Sequence, residues 1–185
     1  MRIKKLFHLQ KKYLDLKKLL LFHLHLFCIK QIYQVPDDFH CRFEATFRKY
    51  EYRILRRKSP FYQNMAYQFE MPLDVLKMNE AAQILFKYED FECFSKLHTD
   101  VKTFNCTIME AEWRQESDDI LVFHIKANRF LRGMVRAIVG TLLEVGLGKL
   151  SVQGFEKIIT DKNRQNAGRS VPAQGLFLME VNYEL

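Results

Sequence analysis

Met134, Val135, Ile138, Val139, Leu142 and Leu143 recur at three- and four-residue spacing, the mark of a helix with one deeply buried face. Asn128 stands where an N-cap belongs, and Gly146 and Gly148 stand where the helix should end. Upstream, Phe43 to Arg56 is rich enough in β-branched and aromatic residues for a strand, with Arg48, Tyr50, Tyr52 and Ile54 facing one way. Pro72 and Asp74 open a helix whose apolar side is Val75, Met78, Ala81, Ala82 and Leu85. Two strands, near Cys106 to Trp113 and Ile120 to Lys126, are joined by the polar turn Glu116-Ser117-Asp118-Asp119. A shorter helix carries Val152, Phe155, Ile158 and Ile159. Leu176 to Tyr183 reads as a buried strand with Phe177, Met179, Val181 and Tyr183 in the core. The pattern predicts an α+β fold, a mixed and mainly antiparallel sheet with flanking helices.

Residues 1 to 33 break from this pattern. They are rich in Leu, Lys, Phe and His, without glycine or proline, and a boundary is expected between Ile29 and Pro36, giving segments 1–33 and 34–185. The net charge is +7, and residues 1 to 33 hold all of that excess, so the remainder is neutral. Phosphate attraction there must come from local clusters such as Arg48, Lys49, Arg53, Arg56, Arg57 and Lys58. The apolar run Leu19 to Ile29 is too short, and with His23 and His25 too polar, to span a membrane. Cys28, Cys41, Cys93 and Cys106 form no C-x-x-C pair and no cluster with histidine, which signals neither a metal site nor a disulfide framework and suits a reducing cytoplasm. No glycine precedes Gly133, so the glycine-dependent phosphate loops are excluded from the first two-thirds of the chain.

The chemistry concentrates on the long helix. Arg129, Arg132, Arg136 and Gly140 follow at three- and four-residue spacing and are expected along one side. Arginines among apolar neighbours call for an anion, a carboxylate or a phosphate. The other reading is that they are solvated or snorkelling residues at the edge of a core helix.

Three separated blocks give this stripe a context: Val35-Pro36-Asp37-Asp38-Phe39-His40-Cys41-Arg42-Phe43 with Ala45-Thr46 and Arg48-Lys49-Tyr50-Glu51-Tyr52; Asn128 to Gly140; and Pro172-Ala173-Gln174-Gly175-Leu176. In order and spacing they resemble the tRNA pseudouridine synthase A family, over residues 30 to 185. The resemblance implies isomerisation of uridine to pseudouridine in the anticodon stem-loop of tRNA, by a homodimer and without cofactor or metal. It implies that Tyr50 stacks on the target base and that Arg136 pairs with the catalytic aspartate, while Arg42, Arg48, Lys49 and Arg132 are candidate phosphate contacts. An aromatic face suits a base taken out of its stem, since stacking returns roughly 1–3 kcal/mol. Tyr50 can equally be a strand aromatic packed on a neighbour, and each basic residue a solvated one.

The sequence also departs from the family. Members carry their nucleophile in a Gly-Arg-Thr-Asp-x-Gly-Val-His segment, and neither Asp15, Asp37 nor Asp38 lies in such a setting. The expectation is therefore half an active site, inactive as it stands, with residues 1 to 33 a frameshifted or misassigned start. A sheet continued by another lobe would leave this portion with an open strand edge. The alternatives are a non-catalytic RNA-binding module and, more remotely, a membrane-surface helix on an interaction domain.

Overall fold

The computed structural model describes residues 33–96 and 102–184. Two compact units divide between Phe39 and His40. In the first, the described residues form a turn in which the Phe39 N–H donates to Pro36 O at 3.1 Å. The expectations placed on residues 1 to 32, including the altered start and the apolar run Leu19 to Ile29, lie outside the described residues.

The second unit is built on five strands: β1 (Ala45–Leu55), β2 (Tyr67–Gln68), β3 (Ile108–Ser117), β4 (Ile120–Ala127) and β5 (Leu176–Tyr183). β1 is the hub. Antiparallel β4 lies along one edge of it, in register from Arg48 opposite Ala127 to Leu55 opposite Ile120, and β3 pairs with the outer edge of β4. On its other edge β1 pairs antiparallel with β5 along its first part and parallel with the short β2 at its end. The sheet is thus mixed and mainly antiparallel, with three helices: α1 (Val75–Ile84), α2 (Met134–Gly146) and α3 (Val152–Asp161).

Register sorts side chains between the two sheet faces. Tyr52 and Ile54 of β1, Leu121, Phe123 and Ile125 of β4, and Ala111 and Trp113 of β3 are buried in one core with Met78, Ile138, Leu142 and Phe155 from the helices. Trp113 and Phe123 meet with ring centroids 5.0 Å apart. Asn79 of α1 accepts from the Trp113 N–H at 2.7 Å and donates to Trp113 O at 3.1 Å, which ties that helix to β3. The alternate residues Lys49, Glu51 and Arg53, Val122, His124 and Lys126, and Glu110, Glu112 and Arg114 stand on the opposite face.

The helix starts are governed by local chemistry. The Asp74 carboxylate caps α1 by accepting the Lys77 N–H at 3.0 Å, and Ser151 caps α3 by accepting from Gly154 at 2.9 Å. The start of α2 differs from the sequence expectation. Asn128 is no N-cap: its Oδ1 accepts the Thr107 N–H at 2.8 Å and seals the open end of the β3–β4 pair. Because β4 runs to Ala127, the chain needs residues 128–133 to turn, and Gly133, at φ +78°, supplies the left-handed step into the helix. The polar turn is likewise confined to Asp118-Asp119, since Glu116 and Ser117 complete β3.

β5 corrects a second expectation. It occupies Leu176–Tyr183 as predicted, but it is not a buried strand: no residue in it is fully buried, and Leu178 and Met179 are about half exposed. The reason is position, because among the described residues it pairs with β1 alone, which leaves its far edge open.

Candidate functional site

Tyr50, Tyr52 and Phe130 form an aromatic wall on the helix-bearing face of β1. Tyr50 is half-buried and meets Phe130 edge-on, centroids 5.2 Å apart at 89°. Leu178 of β5 stands opposite Tyr50 in the ladder. Tyr52, two residues along, is fully buried, and its hydroxyl donates to Pro172 O at 2.7 Å. Burial, with Tyr67 nearby, pushes its phenol far above the ordinary value of 10.0, against the pull of the Arg136 guanidinium.

Arg136 lies in the first turn of α2 beside the same segment. Its Nε donates to Val171 O at 2.5 Å, and the Val171 N–H donates back to Arg136 O at 3.2 Å. Tyr52 and Arg136 are therefore joined through Pro172 and Val171 of one strap, and Tyr50 lies two residues from Tyr52 on the same face of β1. The guanidinium is half-buried, and among the described residues no carboxylate comes within ion-pair distance of it.

The strap 164–175 that carries Val171 and Pro172 is fitted to α2 at its glycines. A Cβ on Gly140 would lie 1.9 Å from Arg169 O, and one on Gly168 would lie 2.8 Å from the Gly140 and Thr141 backbone. The Gly168 N–H donates to Thr141 Oγ1 at 2.9 Å. Arg164 braces the strap from within, donating to Gly168 O at 3.2 Å and Ser170 Oγ at 3.1 Å. Gly140 thus makes a close approach to the strap backbone that a side chain would block.

The remaining sequence candidates do not all gather here. Arg129 and Arg132 precede α2, so only Arg136 and Gly140 of the four-residue stripe share the helix. Arg132 is exposed, and its carbonyl accepts the Lys96 N–H at 2.9 Å. Arg48 is turned to backbone, donating to Ala45 O at 2.9 Å, Asn128 O at 2.8 Å and Arg42 O. Those bonds make it a clamp on the turn before β1. Lys49 is on the other sheet face in an ion pair with Glu110 at 2.8 Å. Arg42 is exposed, its guanidinium 5.6 Å from the Phe43 ring centroid. Phe130, Tyr52 and Arg164 received no role from the sequence. Tyr52 was legible as the next residue on the Tyr50 face; Phe130 and Arg164 carried no such signal.

Comparison with known proteins bears on the family that the sequence blocks resemble. Residues 81–184 match the family described as tRNA pseudouridine synthase. The chain is similar to proteins named tRNA pseudouridine synthase A from Bacteroides fragilis, 57% identical over 155 residues, and from Parabacteroides distasonis, 53% identical over 155 residues. Each match covers 84% of this chain, and 62% and 61% of those relatives. A more distant relative, tRNA pseudouridine synthase A 1 of Bacillus cereus, is 39% identical over 157 residues, covering 84% of this chain and 63% of its own length. The chain belongs to the tRNA pseudouridine synthase family, and it spans about three-fifths of the length of the curated relatives it matches.

Proposed function

We propose that residues 34–185 form the part of a tRNA pseudouridine synthase that receives the target uridine of the anticodon arm. The observation that carries this reading is that Tyr52 of the central strand and Arg136 of the adjacent helix bond neighbouring carbonyls of one strap, with Tyr50 two residues from Tyr52 on the same face of β1. Tyr50, held edge-on by Phe130, offers a flat face on which an extruded pyrimidine stacks. Arg136 is fixed through Nε, which leaves its outer nitrogens to grip a carboxylate, keep it ionised and aim it at the nucleotide. Arg42 and Arg132, both exposed, serve as phosphate contacts, and the working unit is a homodimer in the cytoplasm.

The nucleophilic carboxylate is the group this sequence does not supply in the family's motif. The chain alone therefore binds tRNA without turning it over. Release of tritium from tRNA labelled at uridine C5 tests this directly: binding without release is expected. Release by the purified chain would overturn the inactive reading, and absence of salt-sensitive tRNA binding would overturn the functional one.

A further inference from the structure

The sheet face turned away from the helices holds a cluster that plays no part in the site above. β1 contributes Glu51, β4 contributes His124 directly opposite it in the ladder, and β3 contributes Glu116 near the hairpin end. The His124 side chain is only 6% exposed, and both its ring nitrogens are buried without a hydrogen bond. Each nitrogen nevertheless faces a carboxylate: Glu116 Oε1 is 3.4 Å from Nε2 and Glu51 Oε1 is 3.7 Å from Nδ1. A buried imidazole with both nitrogens unmet is costly to maintain unless something else satisfies it.

We propose that Glu51, Glu116 and His124 hold a divalent first-row transition-metal ion, with water completing its coordination. One potential ligand atom from each residue lies within 4.8 Å of the other two. The 3.4 Å between Nε2 and Glu116 Oε1 is already close to the ligand–ligand edge of a tetrahedron with bonds of about 2.0–2.1 Å. Glu116, 48% exposed at the hairpin end, is free to close on an ion arriving from solvent, whereas Glu51 is 13% exposed and positioned by Arg53 at 2.9 Å. Glu51 and Glu116 with the Arg53 guanidinium leave the cluster negative toward an arriving cation, and this nitrogen–oxygen set suits zinc and its neighbours better than magnesium or calcium. The ion would tie β1, β4 and β3 together on the face away from the helices, so its role is structural. No motif signals it, because the ligands are scattered along the chain and only the β1–β4–β3 register assembles them.

The test uses the full, tag-free chain with zinc and, as a spectroscopic stand-in, cobalt. One equivalent of zinc should bind and raise Tm by roughly 5–10 °C at a hundredfold excess over Kd. Cobalt should give visible d–d absorption. Glu116→Gln, at an exposed position where folding is not at stake, should weaken binding at least tenfold, and His124→Gln should abolish the cobalt spectrum. Unchanged zinc affinity in both variants would overturn the assignment. So would an imidazole NMR titration in which His124 takes up a proton but ignores zinc, because the cluster would then be a charged clamp and no metal site.

Discussion

Gly140→Ala tests the packing between α2 and the strap most sharply, because two effects of opposite sign compete. In an ordinary helix interior the change stabilises by roughly 0.5–1 kcal/mol. Here the new Cβ would stand 1.9 Å from Arg169 O and 3.0 Å from its carbonyl carbon. The obstacle is backbone, so no side chain can swing aside, and the strap must move outward by more than 1 Å to reach van der Waals contact. That displacement strains the Gly168 to Thr141 bond and the reciprocal pair between Val171 and Arg136. Overpacking of about 1–3 kcal/mol, with three weakened hydrogen bonds that together give up about 2 kcal/mol, exceeds the propensity gain. The net loss is roughly 2–4 kcal/mol, or a Tm lowered by about 5–15 °C in a domain of this size. Thermal unfolding followed by circular dichroism reads it, and tRNA affinity should fall as Arg136 loses its anchor. A variant as stable as the parent, or more stable, would refute the fit between helix and strap.

Three further outcomes follow from the same geometry. Arg48→Ala should lose roughly 2–4 kcal/mol of stability in urea unfolding while leaving the salt dependence of tRNA binding unchanged, whereas Arg132→Ala should leave stability alone and reduce that log–log slope by about 0.7–0.9. For Asp90, partial burial favours the neutral acid, but bonds from the Lys162 ammonium and the Glu92 N–H prevail and hold its carboxyl below 3.8, while Asp90 raises Lys162 above 10.5. The depressed acid contributes stability that is full above its ordinary value and lost as pH falls through the folded one; the raised ammonium contributes below 10.5 and loses it at higher pH. Asp90→Asn should therefore flatten both limbs of a stability–pH curve, and unchanged limbs would count against the pair. Burial pushes the Cys93 thiol up to about 12 and the Cys106 thiol to about 11, while Cys41 is exposed. Iodoacetamide at pH 8 should label Cys41 and spare Cys93 and Cys106 until urea unfolds the chain, as peptide mapping would show.

The strands and helices were legible because their periodicities are strong, and β5 and the apolar side of α3 fell where the pattern put them. What failed was tertiary. Asn128 reads as an N-cap by residue type, yet the length of β4 commits it to Thr107, and the left-handed step passes to Gly133. β5 has the composition of a core strand, but burial depends on what pairs with its second edge, which composition does not encode. For the proposed site, Tyr50 and Arg136 were singled out only through motif order. Basic residues close to Tyr50 in sequence parted company because alternation sends Lys49 to the opposite face and three carbonyls draw Arg48 inward. Phe130 was invisible, since its contact with Tyr50 arises from the turn that replaces the expected start of α2.

The most direct test of the nucleotide site is photocrosslinking of the chain to an anticodon stem-loop RNA carrying 4-thiouridine at a stem uridine, with the attached peptide mapped by mass spectrometry. The account predicts attachment at Tyr50 or within residues 129–136, lost in Tyr50→Ala under conditions where the variant remains folded. Attachment confined to the opposite sheet face, around Lys49, Arg53 and Lys126, would contradict it.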